Sequence, residues 1–218
     1  MKKDAWPTDI HSAKRLQHEL SRKVRIQPLR KEPAYIAGVD AAFHGKMVRA
    51  VASLFEYPSL RHEADAIAHQ EVLFPYISGF LSFREGEAFI SAIRRLERRP
   101  DVIIVDGQGI AHPLGLGIAS HIGVLLSIPT IGCAKRRLVG TYKEPGAEKG
   151  QWSPLTYKNK QIGAVLRTRT NVKPVFVSPG HLTDLDSSIE IVLNSLTKYR
   201  LPEPIRRADR ISKEHRGS

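Results

Sequence analysis

A carboxylate inside an apolar strand demands a partner, and this chain carries one in mid-strand and another at a strand's end. Asp40 lies in the run Tyr35–Phe43, where Ile36, Gly38, Asp40 and Ala42 share one face and Tyr35, Ala37, Val39, Ala41 and Phe43 the other. A charge among small and apolar neighbours is costly unless it is paired or holds a cation. A wet edge strand, or a salt bridge to one of the many arginines, would also satisfy it. Asp106 closes the apolar run Val102–Val105 and precedes Gly107-Gln108-Gly109. Ligands of α/β sheets sit at the carboxyl ends of strands, although an Asp before Gly also simply starts turns. Two such carboxylates could share a hard cation such as Mg²⁺ with water and a substrate phosphate. Glu85 completes Ser82-Phe83-Arg84-Glu85, the pattern of a helix capping box; from a first turn it could also face that cation.

Cations stand where phosphates would. Lys135-Arg136-Arg137 follows a short buried strand and so reaches the same sheet edge as Asp106, unless it is only a solvated face. His112, before Pro113, could orient a phosphate, whereas His121 lies in an apolar helix and reads as a core histidine. Tyr76, between Pro75 and Ile77, could stack on or wedge between bases, or fill the base of a loop. The run GQGIAHPLGLG is neither a phosphate-binding P-loop nor a dinucleotide fingerprint, because the required Lys-Ser/Thr and third glycine are missing.

The elements that must position these residues follow from periodicity. Thr8 is expected to cap a helix with Ala13, Leu16, Leu20 and Val24 on its inner stripe. Strands are expected at Tyr35–Phe43, Val48–Tyr57 and Leu60–Leu73, joined by short hairpins. A helix with Phe89, Ala92, Ile93 and Leu96 inward runs until Pro100 stops it, and Asp101–Asp106 is a buried strand. A helix over Leu116–Ser127, a strand over Thr130–Ala134 and a Gly/Pro-rich surface loop over Gly140–Pro154 come next. Strands at Gln161–Arg169 and Val175–Ser178 precede a helix opened by Thr183 and Asp186, then a basic tail from Lys198. The order predicts an α/β fold: a mixed sheet, antiparallel in its first three strands and then parallel, flanked by helices.

Composition narrows the partner. The 218 residues suggest a single domain. Lys and Arg number 34 against 22 Asp and Glu, a formal charge of +12, which points to a polyanion. One cysteine, Cys133, excludes an intrachain disulfide and the multi-cysteine zinc sites. No uninterrupted apolar run of about 18 residues occurs, and the amino terminus lacks a signal-peptide core, so a soluble, cytoplasmic protein with no membrane partner is expected.

Taken together, AGVDAAF (37–43), FPYISGFLSFREG (74–86), VDGQGIAHPLGLGIASHIGVL (105–125), PTIGCAKRRLVG (129–140), FVSPGHLTDLDSS (176–188) and LPEPIRRADR (201–210) closely resemble the endonuclease V family, in family order across nearly the whole chain. The resemblance implies a ribonuclease H-like fold and a Mg²⁺-dependent endonuclease, with Mn²⁺ able to substitute, acting on inosine-containing DNA, with inosine-containing RNA as the alternative; no obligate protein partner is expected, and the protein is expected to be a monomer. By resemblance, Asp40, Glu85 and Asp106 would bind the metal, with Asp209 as a fourth group. Lys135 and His112 would hold the scissile phosphate or the attacking water. Tyr76 would belong to a strand-separating wedge, and Leu81, Gly107, Ile118 and Gly132 would wall the pocket for the everted hypoxanthine. Ser78 departs from the Pro-Tyr-Ile-Pro wedge of many bacterial members, which leaves DNA and RNA both open as substrates.

Overall fold

Alternating and uninterrupted apolar runs sort the chain into one sheet with helices on both faces. The computed structural model describes residues 6–214. Its strands are β1 (Tyr35–His44), β2 (Met47–Glu56), β3 (His62–Glu71), β4 (Val102–Val105), β5 (Thr130–Ala134), β6 (Trp152–Tyr157), β7 (Lys160–Leu166) and β8 (Val175–His181). The helices are α1 (Ile10–Ser21), α2 (Leu81–Arg94), α3 (Ile118–Leu126), α4 (Leu185–Asn194) and α5 (Glu203–Lys213). All eight strands join one sheet in the order β3-β2-β1-β4-β5-β8-β7-β6.

The first three strands are antiparallel, and β4 runs parallel to both β1 and β5, as expected. Beyond β5 the sheet turns antiparallel again through β8, β7 and β6. Every residue of β4 is buried, because helices cover both of its faces. On one side α2 and α3 bring Phe89, Ile93, Ile118 and Ile122 against Val39, Ile103 and Val105. On the other, α4 and α5 bring Ile189, Val192 and Ile205 against Ile36, Ile104 and Ile131. Each such side chain contributes about 1.5–3 kcal/mol by burial.

Several local expectations give way to nearby alternatives. Asp9, not Thr8, caps α1: its carboxylate accepts from the amides of His11 (2.8 Å) and Ser12 (2.9 Å), and its charge suits a helix amino terminus. Val24 falls beyond the helix end. The capping box at Ser82 does not form, because Gly79 at φ +83° turns the chain so that α2 starts at Leu81 and Ser82 is already helical. That helix ends at Arg94, well before Pro100, and Leu96 is buried in the following turn. Asp184 caps α4 in place of Thr183, whose hydroxyl donates instead to the carbonyl of Thr130 at 2.8 Å.

Two larger corrections concern elements. The loop Gly140–Pro154 runs into β6, an edge strand where the missing N–H of Pro154 costs nothing. The basic tail from Lys198 contains α5, which packs across β1 and β2. Polar contacts hold it there. Arg207 forks onto Asp65 of β3 at 2.6–3.0 Å, and Ser53 donates to the same carboxylate at 2.7 Å.

Candidate active site

The site is assembled where β1 outruns β4. Pairing between these strands ends at Val39 with Val105, and the amide of Asp106 donates to the Val39 carbonyl at 3.2 Å. Asp40 and Asp106 therefore leave two neighbouring strands side by side, with space where β4 stops. The third acid comes from α5. A Cβ on Gly38 would lie 2.1 Å from the carbonyl carbon of Pro204, so only glycine lets the start of α5 rest on the β1 backbone. That approach delivers Asp209.

One ligand oxygen from each of Asp40, Asp106 and Asp209 lies within 4.8 Å of the others. Two oxygens facing each other across a Mg²⁺ ion would be about 4.2 Å apart. An all-carboxylate set of this spread fits a hard divalent cation after sub-ångström adjustment. The electrostatics agree. Burial, repulsion from Asp106 and a hydrogen bond with Asp209 push the Asp40 carboxyl up to about 8, against the pull of Lys135. Burial also raises Asp106, while Lys135 opposes it. Burial alone would raise Asp209, yet hydrogen bonds with Lys213, Asp40 and Lys135 bring it down to about 2.

Lys135 follows β5 and puts its ammonium into this cluster, 2.5 Å from Asp106 Oδ2 and 3.1 Å from Asp209 Oδ1. Burial works against its charge, but the surrounding carboxylates lift its pKa above the ordinary lysine value. A cation is thus what these acids already attract. Glu85 stands on α2 outside the three-acid group; burial first, with Asp106 adding to it, pushes it up to about 7.

Next to the acids lies a pocket of about 260 Å³, lined among others by Tyr76, Gly79, Leu81, Gly107, His112 and Ile118. It falls just below the range of roughly 300–1,000 Å³ for drug-sized ligands. Tyr76 projects from its rim at 75% exposure, with the Arg84 guanidinium 5.6 Å from its ring. Gly107 cannot carry a side chain: a Cβ would meet Ile118 Cγ2 at 2.4 Å and fill the wall. Gly132 lies one layer behind, where a Cβ would lie 2.2 Å from the Gly109 nitrogen, so only glycine lets the Gly107–Gly109 backbone pass there.

His112 is tied to the backbone of the pocket wall. Its Nδ1 accepts from the amide of Leu114 at 3.2 Å, so Nε2 carries the hydrogen and donates to the Gly79 carbonyl at 2.9 Å. Burial keeps the ring neutral by lowering its pKa. Sequence reasoning missed the second donor to that carbonyl, the buried amide of Gln17, also at 2.9 Å. The signal was available, since Gln17 is a polar residue on the inner stripe of α1, between Ala13 and Leu20. His121 is a core histidine as expected, but burial drives its pKa down to about 3 and neither ring nitrogen has a hydrogen-bond partner among the described residues.

The family model described as Endonuclease V matches residues 18–210. The chain belongs to the endonuclease V family. The endonuclease V of Geotalea uraniireducens is 51% identical over 206 residues, covering 94% of this chain and 88% of that protein. The crystal structure of Streptomyces avermitilis endonuclease V has a TM-score of 0.91 at 40% identity, covering 96% of this chain and 93% of that one. Ciona intestinalis endonuclease V, solved in complex with a 24-mer DNA containing an inosine followed by a ribo-adenosine, has a TM-score of 0.82 at 28% identity, with 94% and 95% covered. Endonuclease V relatives are nucleases, and this chain carries the carboxylate cluster that a metal-dependent endonuclease requires. Among its described residues no helix is long and apolar enough to cross a membrane.

Proposed function

We propose that this endonuclease V family chain is a Mg²⁺-dependent repair enzyme for deoxyinosine, in which Mn²⁺ substitutes. It takes the everted hypoxanthine into the pocket behind Tyr76 and hydrolyses the second phosphodiester bond on the 3′ side, leaving a 3′-hydroxyl and a 5′-phosphate. The observation that carries this reading is the Asp106–Gly107 turn: Asp106 belongs to the acidic cluster, and the next residue is wall of the pocket. A base held in the pocket therefore fixes the phosphates that reach the acids.

Asp40, Asp106 and Asp209, with Glu85 beside them, would hold the ion. When bound, it supplies Lewis acidity at the phosphate and at water. Lys135 offers its ammonium to a phosphate oxygen at the same edge. Tyr76 wedges into the stack, and Leu81, Gly107 and Ile118 enclose the base. His112 and Gln17 hold the Tyr76 loop by the Gly79 carbonyl. No protein nucleophile is required. Extruding a base costs a few kcal/mol, least for a mispaired hypoxanthine, which assists selection.

Cleavage of matched single-inosine DNA, RNA and hybrid oligonucleotides with Mg²⁺ and Mn²⁺ tests the reading. Inosine-dependent cutting of DNA is expected, with loss in excess EDTA. Equal cleavage of an inosine-free hybrid would overturn it. Asp40→Ala and Asp106→Ala should abolish cutting while leaving binding in Ca²⁺. Ser78, in place of the second wedge proline, favours one second reading, an inosine-specific endoribonuclease; faster cutting of inosine RNA than DNA would support it.

A further inference from the structure

A second concave site lies at the end of the sheet opposite the acids. Because β4 and β5 are parallel, Pro100–Val102 and Pro129 mark their amino ends, a strand length from Asp106. Residues 25–34 cross this end, stitched to it by Arg25 O accepting from Leu182 N at 2.7 Å and by Ala34 N donating to Asp101 Oδ2 at 2.9 Å. They roof a cleft of about 560 Å³, larger than the base pocket. Arg25, Arg30, Lys31 and Arg99 line it, with Leu29 and Ile128 as an apolar shelf.

The charge of this cleft is not neutralised from within. Asp101 is its one lining acid, and it is already saturated: Oδ2 accepts from Ala34 and Tyr35 at 2.9 and 3.0 Å, and Oδ1 pairs with Lys31 at 3.1 Å. Arg99 is bound to the carbonyls of Leu126 and Ser127 at 3.2 and 3.0 Å. The guanidinium groups of Arg25 and Arg30 have no acid partner among the described residues. The charge of Arg25 is felt nearby, where burial and then Arg25 depress the pKa of His181.

Two uncommitted guanidinium groups above an apolar shelf match a phosphate joined to a sugar and base. We propose that this cleft binds a phosphate-bearing nucleotide unit and gives the enzyme a second hold on the nucleic-acid strand, remote from the cutting site. The proposal rests on the chain acting on nucleic acid, not on inosine being its lesion.

The test uses Arg25→Ala/Arg30→Ala. Both side chains are exposed and unbonded, so the melting temperature and the cleavage of a short single-stranded inosine oligonucleotide should match wild type. In EDTA, titrating 5′-AMP into ¹⁵N-labelled protein should shift the amides of Gln27, Arg30 and Val102, and the variant should bind it about tenfold more weakly or worse. For a long inosine-free duplex, the slope of log K against log salt should flatten by about 0.9, the value for one phosphate neutralised. Shifts confined to the Tyr76 pocket and the acids, or equal AMP affinity in the variant, would overturn the site. AMP binding lost with an unchanged duplex slope would overturn the strand hold and assign the cleft to free nucleotides.

Discussion

Replacing Gln17 by Leu removes one of the two hydrogen bonds on the Gly79 carbonyl without opening a hole in α1. A net contribution of about 1 kcal/mol is expected for that bond. Removing both donors, with His112→Phe added, leaves a pocket-wall carbonyl without either of its protein partners. That state costs a further ~1–3 kcal/mol, so the double variant should lose more than the sum of the singles, by at least about 1 kcal/mol in a double-mutant cycle. The loosened loop must be re-ordered each time a base enters. A loss of about 1 kcal/mol therefore lowers the preference for inosine over adenosine roughly fivefold in the single variant, at 1.4 kcal/mol per factor of ten. The assay is equilibrium binding of matched inosine and adenosine strands in Ca²⁺, alongside single-turnover cleavage in Mg²⁺. The reasoning is refuted if inosine preference survives in Gln17→Leu, or if His112→Phe lowers the rate of the chemical step while discrimination stays intact. The second outcome would return the imidazole to the phosphate or the water.

Three further outcomes are expected. Gly38→Ala should force α5 off β1, since its Cβ would lie 2.1 Å from Pro204, costing ~1–3 kcal/mol in denaturant melts and most of the activity. Tyr76→Ala should leave the melting temperature unchanged, because the ring is 75% exposed, yet weaken cleavage of inosine in duplexes more than in single strands. Asp65→Asn should destabilise the protein by ~2 kcal/mol at neutral pH. Burial works to raise Asp65, but Arg207, Ser53 and His62 outweigh it, so its folded pKa lies below the unfolded value of about 3.9. A depressed acid contributes stability above its unfolded pKa and loses it as pH falls through the folded one. Thermal melts from pH 7 to 3 should show that loss in wild type and a smaller one in Asp65→Asn.

What the chain reveals before folding follows from what its residues tolerate. Asp40 and Asp106 are legible because a charge in an apolar run has few explanations, and β4 is legible because four consecutive buried residues allow no wet face. Asp209 is harder to read. Pro202 and Pro204 look like punctuation of a tail, whereas proline in a helix's first turn gives up only an amide that would be unpaired anyway. β6 hides for a related reason, with Pro154 and a glycine-rich approach masking an edge strand. The placement of His112 is set by a partner 33 residues away at Gly79, which no local spacing encodes. Ser82 shows the opposite failure, a true local motif overridden by the turn at Gly79.

The passage of α5 over Gly38 also governs when the three-acid cluster comes into being. Asp40, Asp106 and Lys135 leave the ribosome long before residues 203–213, so a growing chain carries two of the clustered acids and lacks the third. Completion waits for the last helix to swing back across the first strand. A single cut after the exposed Lys198, in the link between α4 and α5, would sever Asp209 from the chain that carries the other acids and would leave every strand of the sheet whole. Synthesis supplies the third clustered acid after the other two, and a clip at that link would leave only noncovalent contacts, the Arg207–Asp65 fork among them, to hold it beside them.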